Sequence, residues 1–316
     1  MDFLNMKKTL VLFCLVASAT FTNAQQYNLG FGVHAGVSNF LGDIGSGDLA
    51  RGFVYNMELR DTRWDIGAFA RYRFHPLFAV QVAFDWNRLQ GRDSNSDNRA
   101  RLGRNLQFTN NVLHLNAKLE LYPQILSISD VGYRGRYRTD YQTYFFAGVG
   151  GIYHNPKGEL NGELIKLRPL MTEGVNYSKV VLTIPFGGGF FFTHKKIHRF
   201  GFEYAWNWTF TDYLDDISDR YVSPDQMSSD PNAALLANRY EPNPFVDLPD
   251  AKNYLWSGNG VGNLGPQRGD PTDRDNFMTI TVSYSYLIRT RGGLYRSNYS
   301  WMYGRKRRWG GTKAKF

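Results

Sequence analysis

The chain is predicted to be an all-β protein, an eight-stranded antiparallel transmembrane β-barrel. Three observations predict it. Eight stretches alternate polar with apolar residues; short and long connections separate them in turn; and a cleavable leader precedes them. In Phe78, Val80, Val82, Phe84 and Trp86 the even positions are apolar, while Gln81, Asp85 and Asn87 lie between them. One face of such a strand meets lipid and the other the barrel interior.

The leader spans residues 1–24. Met6-Lys7-Lys8 is its basic start, Thr9 to Val16 a short apolar core, and Ala24 the small residue required for cleavage. Cys14 is the sole cysteine and lies within this core, so the mature chain of about 290 residues has no disulfide, thiol chemistry or cysteine-based metal site. No apolar run of 18 residues follows the leader, which argues against a helical membrane protein. High aromatic content with a mean hydropathy of -0.43 fits a barrel, whose strands are apolar on one side only.

The predicted barrel occupies residues 25–288. Its strands run from Tyr27 to Phe40, Asp65 to Phe74, Leu77 to Leu89, Asn105 to Tyr122, Gln142 to Tyr153, Lys179 to Thr193, Ile197 to Phe210 and Asn276 to Ile288. Each meets or exceeds the ~9–11 residues needed to cross the hydrocarbon. Alternation is cleanest in the third, seventh and eighth; the fifth, with Phe145 beside Phe146 and several glycines, leaves its lipid face open. The last strand, with Ile280, Val282, Tyr284 and Tyr286 in phase, resembles the aromatic-rich final strand recognised by outer-membrane assembly machinery.

His75-Pro76 and His194-Lys195-Lys196 read as tight periplasmic turns, and the remaining long links as external loops. The link from Pro123 to Tyr141, with Arg134, Arg136 and Arg138, breaks this pattern. It reads either as a partner-facing extension or as an elongated hairpin, and a hairpin here or in the last loop would allow ten strands.

Eight strands enclose a lumen just wide enough for side chains to fill. Arg71, Arg73 and Lys118 are expected there against Asp85, Glu120 and Glu203, with His34 and His114 nearby. Buried charges are tolerated when paired, so these residues predict a salt-bridged plug in preference to an ion or proton path. A plugged barrel is neither a porin nor a conduit for folded proteins.

Two further segments stand out by charge. The link from Asp212 to Asp275 holds seven prolines and twelve acids against five basic residues. Its length without clear secondary structure marks a functional or disordered loop. Asp212, Asp215, Asp216 and Asp219 suit either a shared calcium ion or turn and capping roles, of which the second is favoured; no metal or cofactor is assigned. Arg268-Gly269-Asp270 is a tripeptide that polar loops produce by chance, and no adhesion role is attached to it.

The tail, residues 289–316, has nine Lys or Arg and no acid, which accounts for the formal net charge of +9. Trp301, Arg305, Lys306, Arg307, Arg308 and Trp309 form its candidate partner-binding surface, the alternative being a solvated end. Basic residues interleaved with aromatics commonly bind nucleic acid, but export beyond the inner membrane removes that partner. An enzyme is disfavoured: His154 alone lies near an external loop, and no nucleophile motif accompanies it.

The segments Gly32 to Ile44 (GVHAGVSNFLGDI), Leu167 to Gly174 (LRPLMTEG) and Phe210 to Ser218 (FTDYLDDIS) resemble, in order, motifs of the PorG-like outer-membrane proteins of the type IX secretion system of Bacteroidetes. The resemblance covers about residues 27 to 288. It implies a non-enzymatic subunit of the protein transport machinery, linked in many species to gliding motility. Its implied partners are a periplasmic ring of a PorK-like lipoprotein and a PorN-like protein, together with outer-membrane lipid. The long acidic loop after Ser218 and the basic tail depart from that pattern, as in a lineage-specific version or a paralogue. A rival expectation is an outer-membrane stability or adhesion barrel that binds a ligand through the acidic loop.

Overall fold

In the computed structural model, residues 27–45, 59–96, 99–131, 139–195, 197–239, 264–272 and 274–289 are described. The leader at residues 1–24, Arg134, Arg136 and Arg138, loop residues 240–263, and the tail beyond residue 289, with Trp301, Arg305 to Arg308 and Trp309, lie outside them.

Thirteen strands form among the described residues: β1 (Tyr27–Leu41), β2 (Arg63–Arg73), β3 (Phe78–Arg92), β4 (Gln107–Leu121), β5 (Ser127–Val131), β6 (Thr139–Tyr153), β7 (Lys157–Leu160), β8 (Glu163–Lys166), β9 (Val180–His194), β10 (His198–Thr209), β11 (Arg220–Val222), β12 (Leu264–Gln267) and β13 (Asn276–Arg289). Eight of them close a ring. β1 pairs with β2, then β3, β4, β6, β9, β10 and β13 follow in antiparallel order, and β13 returns to β1. The closing seam runs from Leu41↔Asn276 to Leu29↔Ile288, so the barrel leaves no open edge there.

Alternation sets the faces. Val33, Val82, Leu115, Val149, Leu182 and Val282 are exposed on the outer wall as an aliphatic belt. Exposed Trp86, Tyr153, Trp208 and Phe210 rim the belt at the long-loop end, and Tyr72, Phe74, Phe192 and Tyr286 at the short-turn end. A closed barrel with an apolar band between aromatic girdles is the exterior of an outer-membrane protein. The face left open in the fifth strand is resolved: Phe145 and Val149 point outward, Phe146 and Ile152 inward.

At several inward positions glycine is required by close approach of the neighbouring strand. A Cβ at Gly36 would lie 2.0 Å from the Ile280 carbonyl oxygen, and one at Gly148 2.3 Å from that of Ala117. The turn at His75 is tight, with His75 and Phe78 exchanging backbone hydrogen bonds of 3.2 and 3.1 Å.

The link from Pro123 to Tyr141 contains β5, which pairs with the start of β6 through Ser127↔Gln142 and Ile128↔Tyr141. Its described residues form an antiparallel β5–β6 pair at the short-turn end, and β6 starts three residues before the expected Gln142. β5 continues the line of β4 and adds no member to the closed ring, so the ring has eight strands and not ten. The described parts of the loop from Asp212 to Asp275 carry regular structure that its composition does not predict: β11 pairs with β12, and a helix spans Pro231–Ala237, capped by the Asp230 side chain accepting from Asn232 N at 2.9 Å. Local periodicity does not reveal these short elements because their partners lie dozens of residues away.

Candidate functional site

The lumen carries the predicted charges as a layered network. Inward positions follow the two-residue period, so Arg71 and Arg73 on β2, Gln81 and Asp85 on β3, and His114, Asn116, Lys118 and Glu120 on β4 all project into the barrel. Glu203 joins them from β10.

Near the short-turn end Arg71 donates to Glu120 (Nε to Oε1, 2.9 Å) and to Gln81 Oε1 at 2.8 Å. Tyr122 donates its hydroxyl to the other Glu120 oxygen. Arg73 donates to Gln142 Oε1 at 2.6 Å and to the carbonyls of His75 and Pro76, with its guanidinium 4.1 Å from the Tyr122 ring centre. One layer further in, Lys118 Nζ meets Glu203 Oε1 at 2.7 Å, and Tyr144 donates to Glu203 Oε2 at 2.7 Å. Above these, Asp85 lies 3.1 Å from His34 Nε2 and 3.4 Å from His114 Nδ1, and it accepts from Asn116 at 2.7 Å. His114 reaches on to Thr183 at 3.0 Å. Rings fill the remaining space: Tyr122, Tyr144, Phe146 and Phe191 form one buried cluster with Ala79 and Ala205. All six predicted interior charges are thus buried and engaged, with Glu203 the most exposed at 9%.

The long loops cover the other mouth. Phe40, Ile44, Leu89, Phe108, Ile152 and Phe277 at strand ends pack with Leu167, Leu170, Leu214, Ile217 and Leu236 from the loops into a second apolar core. Two buried arginines hold this cap. Arg268 Nη1 donates to Glu173 Oε1 at 2.8 Å, to Thr172 at 3.2 Å and to the Asp216 carbonyl at 2.7 Å. Arg104 grips Asp93 with Nε and Nη2 at 2.7 and 2.8 Å and reaches the carbonyls of Asp43 and Arg268. The three motifs that are separate in sequence therefore meet: Asp215 accepts from Ile44 N at 3.2 Å, and Glu173 accepts from Ser218 N and Asp219 N at 3.1 Å.

Burial raises the cap carboxylates. Asp216 is pushed up to about 6 by desolvation, against the pull of Arg268 and of hydrogen bonds from Thr172 and Tyr177. Asp43 is likewise pushed up to about 6 by burial. Asp215 and Asp275 move further in the same direction, from burial and then from neighbouring carboxylates.

Of the aspartates weighed for calcium, Asp212 lies near enough to Asp215 to raise it, and the other two are held elsewhere. Asp215 accepts from backbone amides, Asp216 accepts from Thr172 and Tyr177, and Asp219 is half exposed beside Arg220. Among the described residues no group of three or more His, Cys, Asp or Glu is arranged to hold a metal ion. Arg268 is 3% exposed, so the Arg268-Gly269-Asp270 tripeptide presents no arginine to a partner. His154 is fully buried, stacks on Tyr177 and bonds the Ser178 carbonyl at 3.0 Å; burial lowers it to about 4. Sequence reasoning missed Asp93, Arg104, Glu173 and Arg199. Arg199 was in phase with Glu203 and was legible, whereas the others lie in loops where no period marks them.

A family model described as "Domain of unknown function (DUF6089)" matches residues 6–226. The chain belongs to this family. The match takes in the first seven barrel strands and the cap motifs up to Gln226. No curated protein matches at the sequence level. Solved structures similar to the chain include Ail, the attachment invasion locus protein of Yersinia pestis, at 9% identity and TM-score 0.33, covering 84% of this chain and 100% of that one. Neisserial surface protein A is similar at 6% identity and TM-score 0.34, covering 82% and 97%. A major outer membrane protein from Thermus thermophilus is similar at 10% identity and TM-score 0.26, covering 82% and 99%. Scores this low carry nothing beyond the likeness itself, and the barrel is read from its own strand pairing.

Proposed function

We propose that this barrel is a non-enzymatic structural component of a type IX protein secretion machinery, fixing a periplasmic ring of PorK-like and PorN-like proteins to the outer membrane. The observation that carries the reading is the filled lumen. Arg71–Glu120, Lys118–Glu203 and the Asp85 cluster, with the apolar cap above them, occupy the space a translocating chain would need. A barrel closed in this way contributes rigidity and surfaces. The short-turn end, the β5–β6 pair and the basic tail at residues 289–316 are then the surfaces for a ring partner. Electrostatics steer such an encounter, and aromatic anchors supply most of its affinity. The motifs resembling PorG-like proteins support the same reading.

The test is deletion of residues 289–316 followed by membrane co-purification with crosslinking. The expected result is loss of ring proteins from an intact barrel; a normal yield of ring proteins overturns tail-mediated anchoring. The ordered external cap favours a second reading, a stability or adhesion barrel whose acidic loop takes a ligand. That reading predicts the opposite sensitivity: removing Asp219 to Asp275 abolishes function while secretion persists.

A further inference from the structure

Arg199 stands apart from the other buried cations. Arg71, Lys118, Arg104 and Arg268 each meet a carboxylate, in Glu120, Glu203, Asp93 and Glu173. Arg73 spends its guanidinium on two carbonyls and an amide oxygen. Arg199 is 5% exposed, yet no acidic side chain among the described residues pairs with it. Its one hydrogen bond runs from Nε to Thr193 Oγ1 at 3.4 Å, and its guanidinium sits 3.8 Å from the Phe191 ring centre. Its terminal nitrogens find no acceptor among the described residues.

Its surroundings are positive. Arg71 packs on the same Phe191 ring at 5.6 Å; Glu120 is already held by Arg71 and Tyr122, and Asp140, level with Arg199 across Thr193, has a partner of its own. A buried charge without a counter-charge is costly, and a guanidinium presents a planar fork that matches a carboxylate. Arg199 is the second residue of β10, at the short-turn end, while the Lys118–Glu203 layer and the cap close the route from the other mouth.

We propose that Arg199 is a receptor for one carboxylate group that enters the lumen from the periplasmic end. The Phe191 ring covers one side of the guanidinium, and an eight-stranded lumen is narrow, so a planar two-oxygen group on a slim side chain fits and a bulky anion does not. The inference does not rest on the anchoring reading: a filled barrel of any function would carry this uncompensated guanidinium.

The test uses the full chain refolded in detergent micelles, titrated at constant ionic strength with acetate, with a blocked glutamate, with an acidic heptapeptide, or with chloride or inorganic phosphate as controls. The expected result is a saturable rise in the thermal midpoint with the carboxylates, with a dissociation constant at least tenfold weaker in Arg199→Gln and intermediate in Arg199→Lys. A heptapeptide that binds more tightly than acetate identifies a peptide as the source, and equal affinities identify a small free carboxylate. If Arg199→Gln does not fold, side-chain spectra of ¹⁵N-arginine wild type decide: one arginine shifts on titration. Equal responses to chloride or phosphate, a response unchanged in Arg199→Gln, or no shifting arginine overturns the proposal.

Discussion

Replacing Glu203 by Gln tests the lumen network in its middle layer. The substitution keeps the shape of the side chain and removes the charge that Lys118 Nζ meets at 2.7 Å. Lys118 is then left in a layer walled by Phe146, whose ring centre is 4.6 Å from the ammonium, with the neighbouring Glu120 already committed to Arg71. Removing one partner of a buried pair costs about 3–5 kcal/mol, because the survivor stays desolvated without compensation. Lys118→Met leaves the opposite orphan and is expected to cost about the same. The double variant removes both charges, so it should be destabilised by less than the sum, with a coupling of about 2 kcal/mol or more. The assay is urea unfolding of the refolded barrel followed by tryptophan fluorescence, with heat-modified electrophoretic mobility as the check on folding. Single variants within about 1 kcal/mol of wild type, or additive costs in the double variant, would refute the claim that the pair is buried and coupled.

Other outcomes follow from the cap and the wall. Arg268→Met removes the donor to Glu173, Thr172 and the Asp216 carbonyl, so the loops should become sensitive to limited proteolysis while the barrel keeps its heat-modified mobility. The cap should also loosen as pH rises. Asp43 and Asp216 have folded values raised to about 6 from 3.8, so the folded state holds their protons in a window where the unfolded chain has lost them. Stability therefore falls between about pH 4 and pH 6, by about 3 kcal/mol for Asp216 taken alone. Hydrogen exchange of the 212–218 turn across that range checks the sign, and protection that increases with pH contradicts it. Gly36→Val places side-chain atoms against the Ile280 carbonyl on the closing seam and should sharply reduce the yield of folded barrel in membranes.

The barrel was legible because its information is local. A period of two over ten residues separates lipid from lumen without reference to any other strand, and the same phase placed Arg71, Asp85, Lys118, Glu120 and Glu203 inside. In β6, where glycine and phenylalanine blur that contrast, the face became clear once pairing with β4 and β9 was in view. The cap was not legible for the complementary reason. Arg104 meets the carbonyl of Arg268, 164 residues away, and Asp215 meets Ile44 across 171. Polar loop residues of this kind show no period, and their burial depends on contacts that local patterning does not encode. The three motifs marked there in sequence are separate stretches of chain that become one structural unit in the fold.

The proposed role as a fixture in place of a passage stands on the filled lumen. Planar-bilayer conductance of the refolded full chain measures this most directly. The account predicts no sustained conductance above background for wild type. A stable ohmic conductance in wild type that survives purification to homogeneity would contradict it.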